Sequence, residues 1–310
     1  MTKIASAVPH ADPYHALSRP ALVQGLAIAI IGAVLFSMKA VVAKLLYRYQ
    51  IDAVTLLGFR MLFSLPVFAI VALWQMRVGP PLSQADRWRL VGLGLVGYYL
   101  SSYFDFLGLQ YISVGLERLI LFLTPSFVLL ITAVFFKRRI SRLEWMALGL
   151  SYCGIVFVFL HDLHGGAGST VLGATFVLCS AISYSIYLLG SGELVRRIGS
   201  LRLVSYAMCV SSVACIGQFL LLRPVSMLVQ PAPVYWLSLA NGIFCTVVPV
   251  FMTMMAVQRI GAPTASQAGM VGPISTLFLG ALILGEPITA VQLAGTALVL
   301  AGSYMLSLKK

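Results

Sequence analysis

Charge is scarce in this chain of 310 residues, and acid is scarcest: 21 Lys and Arg stand against 9 Asp and Glu, and charged residues make up 10% of the whole. A soluble globular domain carries roughly 25%, so the shortage excludes an ordinary water-facing surface. Cysteine is sparse too. Cys153, Cys179, Cys209, Cys215 and Cys245 all lie inside apolar blocks at no metal-ligand spacing, and read as small packing residues. No metal site or cofactor is expected from them. No G-x-x-x-x-G-K-[ST] run occurs, so direct coupling to nucleotide hydrolysis lacks its motif. H-E-x-x-H is absent as well. The four histidines (His10, His15, His161 and His164) fall in the N-terminal tail and one outer loop. With no intramembrane aspartate pair either, an enzyme is not expected. The net charge of +12 does not point to nucleic acid, because the basic residues sit at the ends of apolar blocks and form no aromatic-interleaved patch.

What the chain does have is hydrophobic sequence, 60% of it, in continuous blocks of about 20 residues, the length that crosses a hydrocarbon core. Backbone groups in lipid must be satisfied internally, which leaves helices or a closed barrel. Continuous rather than alternating apolarity excludes the barrel. The blocks predict an all-α integral membrane protein with ten transmembrane helices, at 22–46, 52–74, 89–108, 114–136, 142–161, 170–191, 201–222, 234–256, 263–284 and 288–308. Residues 1–20 read as a polar cytoplasmic tail. With the N-terminus inside, 15 of the 21 Lys and Arg fall on inner segments and only Lys44, Arg48 and Arg223 on outer ones. The expectation is a multi-pass protein of the cytoplasmic (inner) membrane, with both termini cytoplasmic.

The chain also repeats. Shifted by 148 residues, its second half meets its first without a gap over long stretches: Gly25 meets Gly173, Ser37 meets Ser185, Ile112 meets Ile260, Pro125 meets Pro273 and Gly154 meets Gly302. Each copy, 21–161 and 169–308, holds five helices. An odd number sets the second copy upside down, giving two inverted five-helix repeats around a central cavity, an arrangement of many secondary transporters. Lys137-Arg138-Arg139 aligns with Gly285-Glu286-Pro287, a basic inner loop opposite an outer one without the basic cluster.

These residues resemble the EamA-type domains of the drug/metabolite transporter superfamily. The likeness rests on Pro273, Gly285-Glu286-Pro287, Thr289, Gln292, Gly295 and Gly302 in the second half, and on Phe36-Ser37, Lys44, Arg60 and Pro125 in the first. It implies ten helices and a cavity lined by helices one to four and six to nine, with helices five and ten peripheral. It leaves the substrate open. Lys39 departs from the small polar residue frequent at that place in the family.

Ionisable groups in hydrocarbon are costly and mark functional positions. Asp105 lies in helix three, where Tyr98, Ser102 and Asp105 share one helical face and Tyr99, Tyr103 and Phe106 the next. Asp105 and Glu117 are candidates for proton coupling as well as for substrate binding. Lys39, deep in helix one, is a candidate for a substrate carboxylate or phosphate, or a partner for either acid. Arg60 and Arg118 read as structural ion-pair residues. Tyr184, Tyr187, Asn241 and Gln267 are the polar candidates of the second half. Pro125 and Pro273, repeat-related, are candidate hinges. The expected activity is secondary transport of small organic metabolites, with export of amino-acid-like solutes by alternating access as the finer reading. Multidrug or organic-cation efflux is the alternative. Expected partners are the solute, the lipid bilayer and, as an open option, a second copy of the chain; nucleic acid is not among them.

Overall fold

The computed structural model describes residues 19–163 and 167–307. Most of the expected tail, and His164, lie outside them. Among the described residues the secondary structure is helical throughout, with no strand.

The first seven crossings are α1 (Arg19–Tyr47), α2 (Ala53–Val78), α3 (Gln84–Leu109), α4 (Val114–Phe135), α5 (Arg142–Leu163), α6 (Ala167–Ile198) and α7 (Ser200–Leu222). Side-chain caps start several of them. The Asp52 carboxylate accepts from Thr55 N, Ser83 Oγ from Asp86 N and Ser113 Oγ from Leu116 N, each satisfying a donor that a helix start leaves free. The next apolar stretch, Ala232–Ala268, runs 37 residues, about 55 Å at 1.5 Å per residue and far beyond one bilayer crossing. Gly261, at φ 78° and ψ 157°, divides it. The two parts are α8 (232–260) and α9 (262–284), and α10 (Ala290–Ser307) completes ten apolar helical segments. Most expected spans hold to within a few residues; α1 and α3 start earlier, and α6 runs past its expected end at 191 to Ile198. The end where α1 begins and α10 finishes is called the near end, and the opposite one the far end.

The two halves make reciprocal contacts at the 148-residue shift. Helix α1 packs on α8 and α9, while its counterpart α6 packs on α3 and α4; α2 faces α7, and α5 faces α10. The reciprocity reaches single atoms. Ser37 Oγ donates to the carbonyls of Ala33 and Gly272, and Ser185 Oγ to those of Ala181 and Thr124. A methyl built on Gly25 would meet Ile260 at 2.2 Å, and one on Gly173 would meet Ile112 at 2.8 Å. Both close crossings need the same missing side chain.

Each half also carries matching irregularities. A π-helical turn interrupts α3 at Leu95–Leu100 and α8 at Ile243–Val247. Tight turns break α4 at Phe122 and Leu123 and α9 at Gly269 and Met270. The prolines expected to kink these two helices sit just after the breaks. Pro125 occupies the first turn of the segment Thr124–Phe135, and Pro273 the first turn of Val271–Leu279, where a missing N–H removes no helical hydrogen bond. The interruption is therefore the tight turn, and the proline opens the helix that follows it.

The largest apolar core joins α1, α2, α3, α7 and α8, with Leu46, Leu56, Leu57, Met61, Phe68, Phe106 and Met208 inside it. Large hydrophobics on the outside, among them Ile70, Leu73, Trp74, Phe135, Leu221 and Leu282, give the lipid face. The arginines of the near end and those flanking α2 and α7 at the far end frame it.

Candidate functional site

Where α1, α2, α3, α4 and α8 meet, five ionisable side chains lie buried together: Lys39, Arg60, Asp105, Glu117 and Arg118, none more than 8% exposed. Lys39 Nζ donates to Asp105 Oδ2 at 2.5 Å. Its ammonium also sits 5.1 Å from the Phe36 ring centre and 5.3 Å from that of Phe106. The same two rings carry the guanidiniums, Arg118 at 5.0 Å over Phe36 and Arg60 at 5.1 Å over Phe106. Cation–π attraction of this kind strengthens as the ring and charge leave water. Three cations thus share two aromatic rings.

The backbone arranges this convergence. On α1, Phe36 and Lys39 are three residues apart and point the same way. On α3, Asp105 and Phe106 follow the π-helical turn, which shifts the register of everything after it; such turns are frequent at functional sites. Gly272 in α9 has no side chain, and a methyl there would lie 2.7 Å from an Arg118 amino group, so the guanidinium rests against bare backbone.

Arg60 and Arg118 depart from the expectation. Neither lies in an ion pair among the described residues; the acid is taken by Lys39, whose position on α1 faces Asp105 directly. Arg60 Nε donates to Thr246 Oγ1 at 2.8 Å, and Thr246 Oγ1 donates to the Asn241 carbonyl at 2.8 Å. Arg118 donates weakly to Ser37 Oγ at 3.4 Å. Several polar atoms of the cluster have no hydrogen-bond partner among the described residues, namely Arg60 Nη1, Arg118 Nε and Asn241 Oδ1, while the carboxyls of Glu117 and Asp105 lie within hydrogen-bonding reach of one another. Glu117 lies within electrostatic reach of Asp105, Lys39 and Arg118. Glu117 and Arg118, although adjacent in sequence, are both buried in this cluster; the guanidinium reaches over Phe36 on its long stem.

The other candidates divide. Asn241 joins the cluster through an amide donation to the Lys39 carbonyl at 3.4 Å. Tyr98, Tyr184 and Tyr187 form a group of their own, with ring centres 4.9 to 6.4 Å apart and the Tyr98 and Tyr187 hydroxyls at 3.2 Å. That group is about 10 Å nearer the near end along α3 than Asp105. Tyr99, Ser102 and Tyr103 are half-buried between the two. Gln267 is exposed on α9 and does not reach the cluster. Reading the sequence alone missed Phe36 and Phe106 as cation platforms and Thr246 as the Arg60 partner. The repeat held the signal: Phe36, Lys39 and Thr246 align at the 148 shift with Tyr184, Tyr187 and Tyr98. The charged cluster and the tyrosine group therefore occupy equivalent places in the two halves.

Two clefts open near the far end, of about 260 Å³ beside Tyr47, Gln50, Asp52 and Gln110 and about 310 Å³ beside Lys44, Tyr47, Arg48 and Glu286. Tyr47 borders both, and its hydroxyl donates to the Phe106 carbonyl at 2.6 Å. It lies between the clefts and the buried charges. Among the described residues no group of three or more His, Cys, Asp and Glu could hold a metal ion.

Known proteins share this architecture. A transporter of Bacillus subtilis (strain 168), YcbK, is 30% identical over 275 residues, covering 86% of this chain and 87% of its own. A transporter of Archaeoglobus fulgidus is 24% identical over 260 residues, 84% of this chain and 90% of its own. Neither name states a substrate. A crystal structure matches the fold with a TM-score of 0.65 at 16% identity, over 92% of this chain and 97% of that one. The EamA-like transporter family matches twice, at residues 23–160 and 171–308. The protein is a multi-pass membrane protein, and it belongs to the EamA-like transporter family.

Proposed function

We propose that the chain is a secondary carrier that moves small, amino-acid-like organic solutes outward across the cytoplasmic membrane, with both termini inside. The two repeats, 21–161 and 169–308, lie inverted to one another and rock about the buried cluster to expose it at one end and then the other. The reciprocal contacts between halves support this reading, since five crossings per copy put any two-fold axis in the membrane plane. The basic residues of the near end support the orientation.

The observation that carries the proposal is the buried pair Lys39–Asp105 with the fully buried carboxyl of Glu117 in hydrogen-bonding reach of Asp105. Burying such groups is costly, and the second repeat keeps none of them: Thr253 aligns with Asp105, Ala265 with Glu117 and Tyr187 with Lys39. The charges are not what the repeat needs in order to fold, so they serve the solute. Asp105 and Glu117 receive its ammonium or a coupled proton, and the tight turns before Pro125 and Pro273 act as hinges. Counterflow in proteoliposomes tests this with Asp105→Asn and Glu117→Gln. Both variants are expected to lose most transport while still inserting. Normal rates in both would remove the cluster from the transport path.

A further inference from the structure

The cluster holds more positive charge than its own acids neutralise. Lys39, Arg60 and Arg118 face Asp105 and Glu117, an excess of one positive charge even with both carboxylates ionised. One turn outward on α1, Lys44 faces Glu286, so that neighbouring pair balances itself and leaves the excess standing. Asp105 is committed to Lys39 through one oxygen. The two guanidiniums have only neutral oxygens as partners, and each keeps a fully buried nitrogen unpartnered, Nη1 of Arg60 and Nε of Arg118. A buried donor left without an acceptor is rare in folded proteins and costly, more so when charged.

Resting on the reading of this cluster as the solute site, we propose that the group it recognises is a carboxylate, seated between Arg60 and Arg118, and that the carried solute is an organic monoanion or a zwitterion held by its carboxylate end. Guanidinium forks match a carboxylate in geometry as well as charge. A carboxylate supplies negative charge that the cluster lacks, and an organic cation would enter a site already in positive excess. The apolar walls beside the guanidiniums, Phe36 and Phe106, suit a small hydrocarbon or aromatic body attached to that carboxylate. On this assignment Arg60 and Arg118 are substrate-binding residues, and an amino group on the solute is dispensable.

The experiment uses the full-length protein in detergent, with thermal unfolding followed in acetate, benzoate, alanine, phenyl phosphate and choline at matched ionic strength. Benzoate and acetate are expected to raise the melting temperature, and choline is not. Apparent benzoate affinity is expected to fall by roughly ten-fold or more in Arg60→Gln and in Arg118→Gln. Arg118→Lys, which keeps the charge and loses the fork, serves if either glutamine variant does not fold. The wild-type comparison needs no variant at all: stabilisation by choline alone, by phenyl phosphate alone or by none of the carboxylates overturns the proposal. So does wild-type benzoate affinity in the arginine variants. The two readings fail separately. A cationic solute whose counterflow depends on Asp105 and Glu117 would keep the cluster as the site and reject the carboxylate. Benzoate counterflow insensitive to every cluster substitution would reject the site itself.

Discussion

The single contact with most at stake is Lys39–Asp105. At 8% and 4% side-chain exposure respectively, neither group has water to fall back on. Removing one partner of a buried pair leaves the other charge uncompensated, at a cost of about 3–5 kcal/mol, whereas replacing both with apolar groups is often near neutral. Asp105→Asn is therefore expected to lower the thermal stability of the purified protein, although insertion survives. The double variant Lys39→Met with Asp105→Leu is expected to recover most of that stability and none of the transport. A double-mutant cycle of unfolding free energies, read beside counterflow rates, checks both halves of the statement. Additive losses of stability would mean that the pair is not coupled. The sequence showed both residues to be buried and offered this pairing among several. It could not show that Arg60 and Arg118 stay out of it, because that depends on which way two long side chains turn, and only Phe36, Phe106 and Thr246 in three dimensions decide that.

At the scale of elements, hydropathy read the crossings well, since a run of apolar residues is a one-dimensional signal with a length fixed by the bilayer. The interruptions were harder to read. Nothing in Leu95–Leu100 or Ile243–Val247 marks a π-helical turn by composition; Gly97 in the first turn packs closely on the opposite half, where a methyl would lie 2.3 Å from the Tyr187 ring. The prolines did mark the breaks, although they stand just after the tight turns. Of the four glycines Gly149, Gly154, Gly295 and Gly302 on α5 and α10, three lie in close helix packing. A methyl on Gly154 would meet the Gly295 carbonyl at 2.6 Å, and one on Gly302 would meet Ser151 Oγ at 2.1 Å and the Ala147 carbonyl at 2.6 Å, while Gly149 has open space. Backbone sits on the other side of the Gly302 contact, so it cannot yield as a flexible side chain would. Gly302→Leu is expected to cost about 1–3 kcal/mol of stability by overpacking, with transport per folded molecule unchanged because α5 and α10 stand away from the charged cluster. Gly149→Leu is the control and is expected to be silent in both unfolding and counterflow.

Over the whole molecule, the two halves are tied at both ends by polar contacts outside the lipid. At the near end Arg197 pairs with Asp86 at 2.5 Å and Arg202 donates to the Pro80 carbonyl at 2.7 Å. At the far end Arg223 pairs with Asp52, and Arg48 donates to the Leu284 carbonyl at 3.2 Å. Each tie joins the first repeat to the second, so the proposed rocking of the halves would have to break those at one end and then those at the other. Loosening one end is expected to expose the interior on that side. Burial alone would raise the Asp52 carboxyl, but hydrogen bonds from Arg223 and Thr55 outweigh it and hold the group below the ordinary 3.8. A depressed carboxyl stabilises the folded contact above its unfolded value and loses that contribution as pH falls through its own, lower value. The far tie is thus intact at neutral pH and released only by strong acid. With the five native cysteines replaced and a cysteine placed at the half-buried Ser102, a membrane-impermeant maleimide should label faster from the far side in Asp52→Asn and faster from the near side in Asp86→Asn. Equal labelling from both sides in both variants would show that these contacts hold the halves together without deciding which way the carrier opens.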